Sequence, residues 1–377
     1  MSGMPWGGSE MLWYKVAKRL QAEGHELTIN YKYWPHTAKE LLDLESNGAK
    51  LTLRGKPSES AKKGNSFLSR LFGKPDSSDS PDPLAEAPQW IADERPDAVL
   101  VTLGYHPDPI PVADQCIAHS IPYGINLQCA SDFFFIHSNN LENFRRWYSN
   151  ASRVYFVSDE NRIKLKNNIA LELDNAEIIA NPFNVPVDAN PDYPDASKEY
   201  RVAVVGRVHF QSKGQDLIID VLRRPQWKDR NLKVVFYGHD QGNMAQLKGL
   251  VEMYGLEDKV EFGGYLSEVE EIWRQNHALL LPSRYEGAPL VVIEAMLCNR
   301  VSITTNIGRN EELIDDNETG FIAEGATINL VDDALERAWQ KRDQWEAMGR
   351  LAGQHIRERY PADPVQEFAD RIKALVK

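Results

Sequence analysis

The densest chemistry in the sequence lies in Ser283-Arg-Tyr-Glu-Gly-Ala-Pro-Leu-Val-Val-Ile-Glu-Ala-Met296. Two carboxylates, Glu286 and Glu294, flank a turn at Gly287 and Ala288, and Pro289 is expected as the first residue of the helix that follows. The backbone N–H groups of Gly287 and Ala288 then face outward at a positive helix end, where an anion binds without any side chain. Glu294 falls roughly 7.5 Å along the helix axis from Pro289, while Glu286 stays in the loop, so the pair brackets the space for a phosphate group. A carboxylate repels phosphate. Both are therefore read as acceptors of hydrogen bonds from hydroxyl groups, Glu294 from a ribose and Glu286 from a sugar.

A second cluster precedes this one. The stretch Val205 to Gln215 reads as a strand end, a loop and a helix start, and it puts Gly206 and the cations Arg207 and Lys213 at the carboxyl end of a strand. Open α/β sheets bind ligands at that end, and two cations there suit a diphosphate. Either cluster alone is as well explained by a solvated loop or by a helix carrying an ordinary Glu. Together they favour a site.

Positioning such loops requires strands that alternate with helices, and the chain is patterned that way. Met11, Leu12, Val16, Ala17 and Leu20 have helical spacing between Ser9 and Gly24, and a strand-like run follows from Glu26 to Tyr33. The alternation continues with helix 36–46, strands 50–53 and 98–103, helix 110–119, strands 123–128 and 153–157, and helix 159–168. A linker is expected around Pro186, Pro191 and Pro194, where apolar periodicity stops. Strands 200–205, 232–237, 260–262, 278–281 and 301–304 then alternate with helices 215–222, 244–254, 268–275 and 289–297. The fold class is α/β: two Rossmann-like domains, residues 1–185 and 186–358, with parallel sheets facing a cleft. Residues 359–377 are expected to form a helix that packs back on the first domain. Between Gly55 and Pro83, 14 of 29 residues are Ser, Pro or Gly, which predicts a mobile insertion. Its Phe67-Leu-Ser-Arg-Leu-Phe72 patch is expected to touch its own domain, because six residues bury too little to anchor on a membrane.

Composition narrows the partners. Lys plus Arg total 43 against 55 Asp plus Glu, a net charge of −12 over 377 residues, which argues against a global grip on nucleic acid. No apolar run is long enough to span a membrane and no secretory pattern opens the sequence, so a cytoplasmic location with at most peripheral membrane contact is expected. Cys116, Cys129 and Cys298 are odd in number and widely spaced, as reduced core cysteines would be. No metal ligand set is read from the sequence.

Glu286-Gly-Ala-Pro-Leu-Val-Val-Ile-Glu294 resembles the Glu-x7-Glu signature of family 4 glycosyltransferases, retaining enzymes of the GT-B fold. Gly206-Arg207 with Lys213-Gly214, Asn181-Pro182, Gly263-Gly264-Tyr265, Asn310-Glu-Glu-Leu-Ile314 and Thr319-Gly320 stand in that family's order. The resemblance implies a metal-independent transfer of a hexose from a nucleotide sugar, a UDP-sugar, to a glycan, lipid-linked or small-molecule acceptor. The nucleotide sugar is a co-substrate, and no cofactor is implied. Arg207 and Lys213 would neutralise the leaving diphosphate, which is electrostatic stabilisation of charge that grows as the bond breaks. Glu294 would hold the ribose, Glu286 the transferred sugar, and Gly287, Ala288, Pro289 and Leu290 the distal phosphate and sugar. The backbone at Gly264 and Tyr265 would hold the base, and Gly8, in Trp6-Gly-Gly-Ser-Glu10, would face the phosphates.

Two departures qualify the resemblance. Only Met1 to Pro5 precede the glycine turn, so the first domain is expected to lack its first strand; either the true start lies upstream or that domain is compromised. Where many family members carry a His, this chain has Gln128-Cys-Ala-Ser-Asp132, with Ser131 and Asp132, and His106 after an earlier strand, as acceptor-side candidates. His106 is otherwise read as a solvated loop residue, and Phe133 to Ile136 either lines an acceptor groove or, the favoured reading, is apolar core. Two other functions fit the same sequence. A nucleotide-sugar epimerase on this fold would form product without an acceptor, and a catalytically inactive nucleotide-sugar-binding protein would bind the donor without consuming it.

Overall fold

A computed structural model describes residues 6–54, 90–197 and 199–376. The insertion expected at 55–83 and the segment Met1 to Pro5 lie outside these residues. The first half runs α1 (Met11–Ala22), β1 (Thr28–Lys32), α2 (Lys39–Ser46), β2 (Lys50–Arg54), α3 (Trp90–Glu94), β3 (Val99–Leu103), α4 (Pro111–His119), β4 (Tyr123–Leu127), α5 (Leu141–Asn150), β5 (Arg153–Phe156), α6 (Asp159–Ile169) and β6 (Ala176–Ile178). The second half continues with β7 (Tyr200–Val205), α7 (Phe210–Lys213), α8 (Gln215–Leu222), α9 (Pro225–Lys228), β8 (Leu232–Tyr237), α10 (Met244–Met253), β9 (Val260–Gly264), α11 (Val269–Gln275), β10 (Ala278–Leu281), α12 (Leu290–Leu297), β11 (Val301–Thr305), α13 (Asn310–Leu313) and β12 (Gly320–Ala323). Three helices close it: α14 (Ile328–Gln340), α15 (Trp345–Arg359) and α16 (Pro364–Lys373).

The second half is one six-stranded parallel sheet in the order β12-β11-β10-β7-β8-β9. Its central strands are buried end to end, Ala278-Leu-Leu-Leu281 in β10 and Val301-Ser-Ile-Thr-Thr305 in β11, as a sheet covered by helices on both faces requires. The order makes β7 and β10 neighbours. The loops that leave their carboxyl ends, one carrying Arg207 and Lys213 and the other Glu286 and Gly287, therefore meet.

The first half is divided. β3, β4, β5 and β6 form a four-stranded parallel sheet, while among the described residues β1 and β2 pair with each other alone. Among the described residues no strand joins the β1–β2 pair to β3. A cavity opens there, lined by Ser9, Trp13, Arg54 and Leu103 among others.

Helix α16 lies against α1 and β5, where Phe368 is buried with Leu12, Val16 and Leu20 and meets the Tyr155 ring edge-on at 5.0 Å. Arg19 pairs with Asp363, Lys373 with Glu23, and Arg371 with Glu177. Apolar burial positions the helix, and these surface pairs add little.

Three local expectations are corrected. Pro289 is not the first helical residue: it caps α12 in extended conformation (φ −70°, ψ 109°) and the helix begins at Leu290. Phe133, Phe134 and Phe135 are exposed rather than core, because the loop after β4 turns outward. His106 is buried, not solvated, and bonded to that loop. The sequence reading also passes over α5, whose Phe144, Trp147 and Tyr148 are buried at helical spacing. Cys116 and Cys298 are buried, Cys129 is half-buried, and all three are free thiols.

Candidate active site

The site is assembled from two loops of the second half and closed by the first. After β7, Gly206 takes a positive φ of 151° and Lys213 packs over its Cα, so the loop turns sharply and the ammonium is held back towards the strand end. Gly238, after β8, presses on the Gly206 carbonyl, and a Cβ there would collide with it. Arg207 is half-buried, and its charge is felt by Tyr105 and His209. Lys213 ends α7 and forms an ion pair with Glu286 across the gap between the two loops.

Glu286 is fixed from its own loop as well, since the Ser283 hydroxyl donates to the same carboxylate oxygen at 2.9 Å. The neighbouring Arg284 locks the loops to each other. Its guanidinium makes two bonds to Asp216, at 2.8 and 2.7 Å, its side chain reaches the Phe210 carbonyl, and its own N–H donates to the Ser212 carbonyl at 2.7 Å. A planar fork on a carboxylate has one geometry, so Arg284 is a brace for Lys213 and Glu286.

Beyond the loop, Gly287 and Ala288 lead into α12, in which Val291 to Leu297 are all buried. Glu294 is the only charged residue of that helix, and it is 4% exposed. Its Oε1 accepts bonds from the N–H of Asn184 at 3.1 Å and from its side-chain amide at 2.8 Å. Burial pushes the carboxyl up from its ordinary value, while the Asn184 bonds and the Lys15 ammonium of α1 oppose that shift. A lone carboxylate on an apolar helix is costly, and such groups concentrate where a ligand uses them.

The first half closes over this turn. The Asn161 side chain, at the start of α6, donates to the Gly287 carbonyl at 3.2 Å, Glu160 accepts from the Gly308 N–H, and Glu312 accepts from the Asp159 N–H at 2.8 Å. A side chain at Gly287 would strike the Gln128 carbonyl. At the far side, Gly264 has a positive φ of 70°, and Tyr265, largely exposed, stacks on His239 with ring centroids 4.2 Å apart and planes 19° off parallel.

The structure thus brings together Gly206, Arg207, Lys213, Glu286, Gly287, Ala288, Pro289, Leu290 and Glu294 around the carboxyl ends of β7 and β10. Gly264 and Tyr265 lie at the end of β9, beyond β8 in the same sheet. Gly8 stands exposed in the turn before α1, and a Cβ there would meet nothing. The three acceptor-side candidates serve the loop itself. Ser131 and His106 are buried and bond its backbone, and Asp132 is an exposed carboxylate paired with Lys164 at 3.2 Å. Burial lowers the His106 pKa, against the opposing pull of the Phe134 carbonyl, and so favours the neutral ring. Burial also pushes the Cys129 thiol up to about 12, which leaves it a poor nucleophile. Sequence reasoning did not single out Asn184, Ser283, Arg284, Asp216 or Gly238. Ser283 and Arg284 stood inside the motif itself, but Asn184 acts from the linker and gave no local signal.

Among the described residues no helix is long and apolar enough to cross a membrane. Residues 189–354 match the family model described as glycosyl transferases group 1. A poly(ribitol-phosphate) alpha-N-acetylglucosaminyltransferase of Staphylococcus aureus is 25% identical over 65% of this chain and 51% of its own length. The gpi3 subunit of a phosphatidylinositol N-acetylglucosaminyltransferase of Schizosaccharomyces pombe is 28% identical over 46% of this chain and 40% of its own. The chain therefore spans about half or less of these relatives. Among solved structures, Anabaena HepE in complex with UDP superposes with a TM-score of 0.72 at 16% identity, over 99% of this chain and 97% of that one. A glycosyltransferase from Rickettsia africae gives 0.73 at 16% identity, over 100% and 97%. These structures share the two-domain frame known as GT-B, and within that frame it is residues 189–354 that resemble the glycosyl transferases of group 1.

Proposed function

We propose that this protein transfers a hexose from a UDP-sugar to a glycan or lipid-linked acceptor, with retention of configuration and without a catalytic metal, as an enzyme of the family 4 type working in the cytoplasm. The observation that carries the reading is the meeting of Arg207, Lys213 and the Gly287 turn at the adjacent ends of β7 and β10, with Glu286 against Lys213. In this reading the two cations take the growing charge of the leaving diphosphate, which supplies what a divalent ion supplies elsewhere. Glu294, already an acceptor for two N–H groups, takes the ribose hydroxyls, and Tyr265 with His239 offers the base a flat face. Glu286 orients the transferred sugar. The UDP bound in the HepE structure supports the choice of base, and the three free cysteines suit a reducing compartment.

Thermal unfolding with UDP, GDP and ADP tests the donor, because a ligand at about 100 times its Kd adds roughly 2.7 kcal/mol. A shift with UDP alone is expected, and equal shifts, or none, would remove the donor assignment. Incubation with UDP-hexoses then separates transfer from epimerisation, since an epimerase changes its substrate with no acceptor present.

A further inference from the structure

We propose that Phe133, Phe134 and Phe135 form a fixed aromatic platform on which a sugar ring of the acceptor stacks, so that the acceptor is a saccharide chain and not a lipid surface. The inference rests on the transferase reading and deepens it. The three rings are 58%, 37% and 73% exposed, in a loop whose backbone is anything but loose. The Phe134 carbonyl accepts from His106 at 2.8 Å and from Asn168 at 3.3 Å, Asn168 accepts in turn from the Ile136 N–H at 2.9 Å, and Ser131 accepts from the Phe133 N–H at 3.2 Å. The buried His106 and Ser131, with the half-buried Asn168, thus hold apolar rings out in water, which opposes the ordinary gain from burying them.

The platform continues into the transfer site. Phe133 and Phe134 lie 5.7 and 6.5 Å from the Tyr285 ring, and Tyr105 joins both Phe134 and Tyr285 at 5.9 and 6.2 Å. Tyr285 is the residue before Glu286, so the aromatic row crosses from the first half of the molecule to the carboxylate proposed to orient the transferred sugar. The apolar C–H face of a pyranose ring carries partial positive charge and matches the negative face of an aromatic ring. A membrane would instead ask for uncompensated cations beside the rings. Lys164 is tied to Asp132 at 3.2 Å and to Glu160 at 2.7 Å.

The test uses the full chain with Phe133→Ala/Phe135→Ala and a Phe133→Tyr/Phe135→Trp control, both changes falling on exposed positions. An array of immobilised mono- and oligosaccharides of the common hexoses, hexosamines and heptoses is probed beside phosphatidylcholine/phosphatidylglycerol vesicles. Expected is glycan retention by the natural protein, weakened about tenfold or more in the double alanine variant and restored in the aromatic control. Retention that is unchanged by the alanine changes, no retention of any glycan, or vesicle binding that depends on the two rings would each overturn the proposal. UDP-induced thermal stabilisation, measured on the same samples, keeps the two readings apart. If it is absent while ring-dependent glycan retention persists, the donor reading fails and the platform stands.

Discussion

Lys213 and Glu286 are bound to each other, with the Ser283 hydroxyl on the same carboxylate oxygen. The cation proposed to meet the diphosphate is thus held by the carboxylate proposed to meet the sugar, and both side chains are largely buried. Donor binding must separate them. Glu286→Gln removes the charge that competes with the diphosphate, so UDP should bind about fivefold more tightly, the equivalent of about 1 kcal/mol. Turnover should fall by about a hundredfold, because the sugar loses its acceptor group. Calorimetric titration with UDP beside initial rates checks the split, and weaker UDP binding in the variant would remove the competition from the account.

Glu294 gives a prediction in pH. Its carboxyl is raised from the ordinary 4.5 chiefly by burial. A carboxyl whose folded pKa lies above its unfolded one contributes stability that is complete below the ordinary value and is lost as pH rises through the raised one. The unliganded protein should therefore lose stability on the alkaline side of 4.5 through this group. Glu294→Gln keeps an oxygen for both Asn184 donors and discards the charge, so it should flatten that decline and raise Tm by about 2–4 °C at neutral pH. The same change should weaken UDP binding about tenfold, since bonds to an ionised acceptor are the stronger ones. Scanning calorimetry across pH, with and without UDP, measures both effects.

Gly287 tests the closure of the cleft. Its carbonyl accepts from Asn161, and a Cβ in its place would overlap the Gln128 carbonyl. Gly287→Ala should leave the sheet of the second half intact, since the clash is with the first half. It should also hold the halves apart, so kcat/KM falls by about a hundredfold, the loss expected when reacting groups are misplaced by an ångström. Small-angle scattering should show a larger radius of gyration for the variant, and an unchanged radius with unchanged kinetics would refute this.

The relation between these residues and the sequence explains what could be read early. Gly206, Arg207, Lys213, Glu286 and Glu294 belong to two contiguous stretches, and strand alternation alone dictates that both lie at carboxyl ends of one sheet. Alternation does not reveal which strands are neighbours, and so the pairing of Lys213 with Glu286 waited for the order β10-β7. Asn184 could not be found, because a polar residue in a proline-rich linker has no period. Phe133 to Phe135 misled for a related reason. Hydrophobicity reports a tendency to be buried, whereas the bonds from His106 and Asn168 that hold this loop outward come from residues 28 and 34 positions distant.

Arg300 carries the last prediction, one of stability rather than chemistry. The side chain is 1% exposed and has no carboxylate partner among the described ion pairs; its N–H groups donate to the carbonyls of Trp273, Asn276, Cys298 and Asp192, and its guanidinium lies 4.8 Å from the centre of the Tyr193 ring. It stitches α11, the end of α12 and the linker together. A lysine offers three donors from one atom and cannot reach so many carbonyls in one plane. Arg300→Lys should therefore fail to rescue, and both it and Arg300→Met should lose about 3–5 kcal/mol, because buried acceptors are left without donors. Urea unfolding gives this number. The proposed donor site uses other residues, so UDP should still stabilise whatever fraction remains folded. A variant that kept its stability would mean that water or main-chain shifts satisfy those carbonyls, and that the linker is held by its prolines alone.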